Sequence, residues 1–178
     1  MDSSAKEIRD ICQRLLAGRE HSKKELLQKL ALKGYERDSA LAIIDELAKA
    51  GWQDDLRYAE GYARSRILKG YGPVRIAYEL RQNGVDIARD SVYAASLPGA
   101  GAAIADRAGA GTEAFDLEAV VKEVAGSWMA VLEQVYSKKY GRDTRLDAKE
   151  WAKRSRFLFQ RGFTGAMISA LCEHLNIL

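Results

Sequence analysis

"RSRILKGYGPVRIAYEL", residues 64–80, is the stretch on which the reading of this chain turns. A segment with helical spacing runs into Gly70, and a second one starts at Pro73. Glycine readily takes the left-handed conformation that stops a helix. Proline suits the first helical turn, where its missing N–H costs nothing. Gly72 lends freedom between the two. The stretch therefore reads as helix, tight corner, helix, with Tyr71 pinned at the corner and Lys69 and Arg75 beside it. The N–H groups opening the second helix offer themselves to an anion, but this geometry alone does not establish function, since most helix corners bind nothing.

Working outward, the same punctuation recurs. "KLALKGY", "ELRQNGV" and "FLFQRGF" each place a leucine four residues before a glycine: Leu30 and Gly34, Leu80 and Gly84, Leu158 and Gly162. Each glycine precedes a large apolar residue, namely Tyr35, Val85 and Phe163. Positions 9, 10 and 13 beyond each glycine are Ile43, Ile44 and Leu47; Tyr93, Ala94 and Leu97; and Leu171, Cys172 and Leu175. Each set is the i, i+1, i+4 stripe of a helix that buries one face. Another amphipathic helix precedes each pair, near residues 5–18, 55–69 and 117–139.

The expected architecture is all-α: a tandem repeat of three three-helix units forming an elongated curved molecule. The units fall at 1–53, 54–97 and 116–178, with a Gly/Ala-rich linker or insert at 98–115 that leaves the third unit free to move. A unit of ~50 residues buries little surface alone, so neighbours should pack. Helix is supported throughout by the scarcity of threonine, present only at 112, 144 and 164, and by the lack of period-two alternation. "SAKE" from Ser4 and "SKKE" from Ser22 fit the capping box. Asp54, Asp86 and Thr144 are further expected N-caps.

With 47% hydrophobic and 30% charged residues, the composition is that of a globular protein. No apolar run reaches the ~18–20 residues of a membrane span, and "MDSSAKEIRDICQRLL" lacks the pattern of a signal peptide. Cys12 and Cys172 offer neither a disulfide framework nor metal spacing. A cytoplasmic protein is expected. The net charge of +3 is modest, but its distribution is uneven. Residues 98–137 carry two basic and six acidic side chains, whereas 138–178 carry nine basic and four acidic. Such asymmetry suits an anionic partner, though a solvated helix face is the ordinary use of a charge run.

On the 55–69 helix, Leu56, Ala59, Ala63 and Ile67 share the core face. Tyr58, Tyr62, Ser65 and Lys69 form a second stripe, with Arg57 and Arg64 on the opposite flank. Tyrosine among basic residues suits phosphate or a protein interface; the competing use of Tyr58 and Tyr62 is packing against a neighbouring unit. In the third unit, Arg145, Lys149, Lys153 and Arg156 share a helix face, and Lys138, Lys139, Arg142, Arg154 and Arg161 add to the cluster. Like charges on one face cost stability, which favours a partner there. Trp52, Trp128 and Trp151 read as core, and His21 as a surface or capping residue. "KGYGP" is not a phosphate loop, and neither a catalytic pair nor a metal or cofactor site is indicated.

"DDLRYAEGYARSRILKGYGPVRIAYELRQNGVD", residues 54–86, closely resembles the central signature of the RecX family of RecA regulators. "LLAGREHSKKELLQKLALKGY" resembles that family's first unit, and "KKYG" with "RSRFLFQRGF" its third. The Gly/Ala-rich insert at 97–116 is the departure. The resemblance implies a non-enzymatic regulator, built of three-helix repeats, that lodges in the groove of RecA–DNA filaments. There it would restrain strand exchange, ATP hydrolysis and coprotease activity. The implied partners are the RecA filament and single- and double-stranded DNA, with no membrane, for a monomer needing no cofactor. Arg57, Tyr58, Arg64, Arg66, Lys69, Tyr71 and Arg75 are the central contact positions that the resemblance implies. Lys138, Lys139, Lys149, Lys153 and Arg156 join them from the basic cluster, while Gly34, Gly70, Gly72, Pro73, Gly84 and Gly162 are structural turns. The competing class is a stand-alone DNA-binding protein of helix-turn-helix type, although no single helix carries an evident base-reading set.

Overall fold

The computed structural model describes residues 3–87, 114–141 and 146–176. Nine helices lie among them: α1 (Ser3–Gly18), α2 (Lys23–Ala31), α3 (Arg37–Lys49), α4 (Asp55–Leu68), α5 (Pro73–Gln82), α6 (Leu117–Ala125), α7 (Trp128–Tyr140), α8 (Ala148–Arg161) and α9 (Gly165–His174). No strand is present among the described residues; a single parallel bridge joins Ile87 to Phe115. The fold is all-α, as the sequence predicts.

Five helices end in one way. Past α2, α3, α4, α5 and α8, a glycine at φ between 74° and 92° turns the chain: Gly34, Gly51, Gly70, Gly84 and Gly162. The next residue then donates its N–H back five positions. Tyr35 reaches Leu30, Trp52 reaches Leu47, Tyr71 reaches Arg66, Val85 reaches Leu80 and Phe163 reaches Leu158, all within 2.9–3.3 Å. This is the Schellman closure, which satisfies carbonyls that the helix end leaves unpaired. Leu30, Leu80 and Leu158 are fully buried, so each closure is anchored in the core.

The chain forms two compact units, Met1–Tyr62 with Leu80–Val85 and Ala63–Glu79 with Asp86–Leu178. In the first, α1 and α2 both pack on α3 around Ile8, Cys12, Leu26, Leu30, Ile44 and Leu47. Ser22 caps α2 by accepting from the Glu25 N–H. The Asp55 carboxylate accepts from the Lys23 N–H and from Gln53 Nε2, both at 2.8 Å, which ties the start of α4 to the start of α2. In the second unit α7 packs on α6 and on α9, and α9 packs on α8.

Several expectations change. The helix expected over 117–139 is two helices, because Gly126 at φ 79° ends α6 and Ser127 caps α7 through the Ala130 N–H. Ser4 lies inside α1 rather than ahead of it. Asp54 does cap α4, accepting from the N–H groups of Leu56 and Arg57. Asp147 and Thr164 cap α8 and α9. His21 is not a surface residue: it is 3% exposed, and its Nδ1 lies 3.0 Å from the Arg19 carbonyl. Trp128 is buried, but Trp52 is 49% exposed and is not core. The helix expected after Asp86, the stripe Tyr93, Ala94 and Leu97, the Thr144 cap, Arg142 and Arg145, and all but the last two residues of the insert at 98–115 lie outside the described residues. The chain on either side of 88–113 meets at the Ile87–Phe115 bridge, where Phe115 donates to the Asp86 carbonyl at 2.9 Å.

Candidate functional site

The end of α4 and the start of α5 place Tyr71 among cations. The guanidinium carbons of Arg75, Arg66 and Arg161 lie 4.6, 5.2 and 5.2 Å from the centre of its ring. All are within the range where a cation is attracted to the ring's negative face. Arg66 and Arg75 come from the helices flanking the corner, one turn before and one turn after Tyr71. Arg161 comes from the last turn of α8. Glu79 pairs with both Arg66 at 3.0 Å and Arg75 at 3.1 Å. Three guanidiniums thus surround one tyrosine, two of them sharing the Glu79 carboxylate, and the exposed Lys69 lies two residues before Tyr71 in the chain. That imbalance leaves a positive corner.

The corner is not an open helix N-terminus. The Gly72 N–H donates to the Arg161 carbonyl at 2.8 Å and the Val74 N–H to the Gly162 carbonyl at 3.0 Å. The backbone N–H groups that could have met an anion are therefore taken by the end of α8. Gly72 likewise serves closeness rather than freedom. A Cβ there would sit 2.4 Å from the Gly162 oxygen.

The remaining central residues divide by what they touch. Arg57 pairs with Glu20 at 2.9 Å and donates to the carbonyls of Gly51 and Trp52, so it braces the turn between α3 and α4. The hydrogen bond to Glu20 raises its pKa further, and the side chain stays exposed at the surface. Tyr58 is 2% exposed and stacks on Tyr62 with ring centres 5.7 Å apart. Packing wins over partner contact for this side chain. Arg64 pairs with Glu123 at 3.0 Å.

The basic residues of α7 and α8 are mostly outward. Lys138, Lys139, Lys149, Lys153 and Arg156 are all exposed. Lys139 Nζ sits 3.4 Å from the centre of the Phe157 ring, and Lys153 reaches Glu150 at 3.7 Å. Lys69, Lys138, Lys149 and Arg156 form no ion pair with the described residues. Arg154 differs from its neighbours: it is buried, bonded to Tyr136 and Glu150.

Residues 4–47, 54–87 and 129–171 match the patterns of the first, second and third three-helix domains of RecX. The regulatory protein RecX of Halorhodospira halophila is 33% identical over 168 residues, covering 94% of this chain and 88% of that one. The chain belongs to the RecX family. The regulatory protein RecX of Pseudomonas fluorescens SBW25 is likewise 33% identical, over 92% of this chain and 88% of its own. The crystal structure of RecX from Lactobacillus salivarius shares the fold along all of both chains, with a TM-score of 0.65 at 19% identity.

In RecX terms, the Tyr71 corner belongs to the second domain, and Arg161, which joins it, to the third. Helix α6 lies outside all three matched stretches. From sequence, Arg161 counts only as one of the third unit's basic cluster, and Glu79 does not enter the reading. The available signal was the position before the glycine stop, which is basic in Lys33, Lys69 and Arg161 alike. No helix among the described residues is long and apolar enough to cross a membrane.

Proposed function

We propose that this RecX-family chain binds RecA–DNA filaments in the filament groove and restrains strand exchange, ATP hydrolysis and coprotease activity. It acts by binding rather than catalysis, as a cytoplasmic monomer needing no cofactor. Its repeats over 1–53, 54–97 and 116–178, with the insert at 98–115, serve as the binding modules. The observation that carries this reading is membership of a family of regulatory proteins along nearly the whole chain.

Physical chemistry supports the partner. Lys69, Lys138, Lys149 and Arg156 are exposed cations without an ion pair among the described residues. Such cations gain most by displacing counterions from DNA phosphate or by meeting acidic protein. The Tyr71 corner adds a flat, amphipathic ring held at a fixed angle. Tyr58 drops out as a direct contact, since it is buried, whereas Arg57 stays exposed beside its pair with Glu20.

The test is RecA-catalysed strand exchange with substoichiometric protein, alongside binding to RecA filaments and to naked duplex. Inhibition well below one protein per RecA, with tighter binding to filaments than to duplex, is expected. A protein that binds naked duplex tightly and leaves strand exchange untouched would instead be a stand-alone DNA binder.

A further inference from the structure

The corner between α4 and α5 and the corner between α8 and α9 hold each other. Besides the two backbone hydrogen bonds described above, their arginines are exchanged. Arg161 Nη1 donates to the Lys69 carbonyl at 2.9 Å, at the end of α4. Arg75 Nη1 donates to the Gln160 carbonyl at 3.4 Å, at the end of α8. Each arginine therefore caps a helix of the other corner, where carbonyls lack partners and the helix dipole favours a cation. The α5 start and α8 end also meet positive pole to negative pole.

The approach tolerates no side chain on either backbone. A Cβ on Gly162 would lie 2.4 Å from the Arg75 Cβ and 2.6 Å from its nitrogen. One on Gly70 would lie 2.4 Å from Val135 Cγ2, on α7. A helical corner that needed only to turn would not require a glycine at 72, whose φ is not left-handed.

We infer that Arg161 is a positioning residue: with the Gly72–Gly162 contact it clamps the second RecX domain's corner onto the third, so that the basic groups of both face a filament as one surface. The clamp replaces the freedom expected of the third repeat. Arg161 acts through Tyr71 and the Lys69 carbonyl, and its guanidinium is already occupied by them. The consequence for filament binding rests on the function proposed above, whereas the clamp itself does not.

Two variants separate positioning from direct contact. Gly72→Ala keeps every cation but collides with the Gly162 carbonyl. Arg161→Met keeps the stem and removes the caps. Each, checked for helicity and used well below its melting temperature, should bind RecA filaments up to about tenfold more weakly, the scale of one lost hydrogen bond. In Arg161→Met the amides of Gly72 and Val74 should exchange with deuterium faster than in the natural protein. A folded Gly72→Ala that binds filaments normally, while Arg161→Met lowers the salt dependence by about one phosphate contact, would overturn positioning and make Arg161 a contact residue. Should Gly72→Ala fail to fold, Arg161→Met decides through the two amides and the salt slope. If the natural protein does not bind filaments, the filament reading fails, and unchanged exchange at Gly72 and Val74 in Arg161→Met would separately overturn the clamp.

Discussion

Arg154 donates a 2.9 Å hydrogen bond to the Tyr136 hydroxyl, and both side chains are in the interior. Arg154 is 8% exposed, yet it belongs by sequence to a run of surface cations on α8. Its Nε donates to Glu150 at 3.1 Å, and its guanidinium lies 4.7 Å from the centre of the Tyr140 ring. A planar, delocalised cation can be buried this way because its edges are hydrogen-bonded and its face is stacked. Truncation would leave the Tyr136 hydroxyl and the Glu150 carboxylate short of a partner. Arg154→Ala is therefore expected to cost about 2–4 kcal/mol, read as a lower urea midpoint. Lys153→Ala, one residue earlier and exposed, should stay within about 0.5 kcal/mol. Equal losses for the two would remove Arg154 from the core.

Gly61 and Gly126 should respond oppositely to alanine. A Cβ on either meets nothing within 4 Å, so space does not distinguish them. Gly61 lies inside α4 with ordinary helical backbone, where alanine is stabilising by roughly 0.5–1 kcal/mol. Gly126 sits at φ 79° between α6 and α7, where any Cβ is strained by about 1–2 kcal/mol. Thermal melting of Gly61→Ala, Gly126→Ala and the natural protein checks the order. A stabilised Gly126→Ala would mean that the break between α6 and α7 is not required.

The helices and their stops were legible because they are local. Leu30, Leu80 and Leu158 sit a fixed distance before a glycine, and both the hydrogen bond and the buried contact close within six residues. The split between α6 and α7 was missed although Gly126 and Ser127 are an ordinary stop and cap, because the apolar spacing on either side masked it. The candidate site was less legible. Arg57, Arg66 and Arg75 look alike in sequence, but Glu20, Glu79 and the end of α8 decide what each charge does. Glu20 lies 37 residues from Arg57, and Gln160 lies 85 from Arg75. The turn glycines misled in another way. Gly72 reads as freedom before a proline, and only the fold reveals a second backbone against it.

The two cysteines should differ sharply towards a thiol reagent. Cys12 is fully buried between α1 and α3, and burial pushes its pKa up to about 11. Only the thiolate reacts, and at pH 8 such a pKa leaves roughly one thiol in a thousand ionised. Cys172, on α9, is half-buried. One thiol per chain should label within minutes in buffer, and the second only as denaturant opens the first compact unit. Mass mapping that finds Cys12 modified first would contradict the packing of α1 on α3.

His21 should make stability fall as the solution is acidified below neutrality. Burial lowers its pKa from the ordinary value, outweighing the hydrogen bond to the Arg19 carbonyl; the charges of Arg19 and Lys29 add to the lowering and Glu25 opposes it. The sign follows from proton binding. The unfolded chain takes up a proton near pH 6.5, while the folded chain does so only at lower pH. Between the two values the unfolded state holds more protons, so stability rises with pH across that window and is level above it. His21→Asn can keep a donor near the Arg19 carbonyl without a titrating ring. Urea midpoints at pH 7.5 and 5.5 should therefore lie closer together in His21→Asn than in the natural protein. Identical pH dependence in both would show that other groups govern the acid limb.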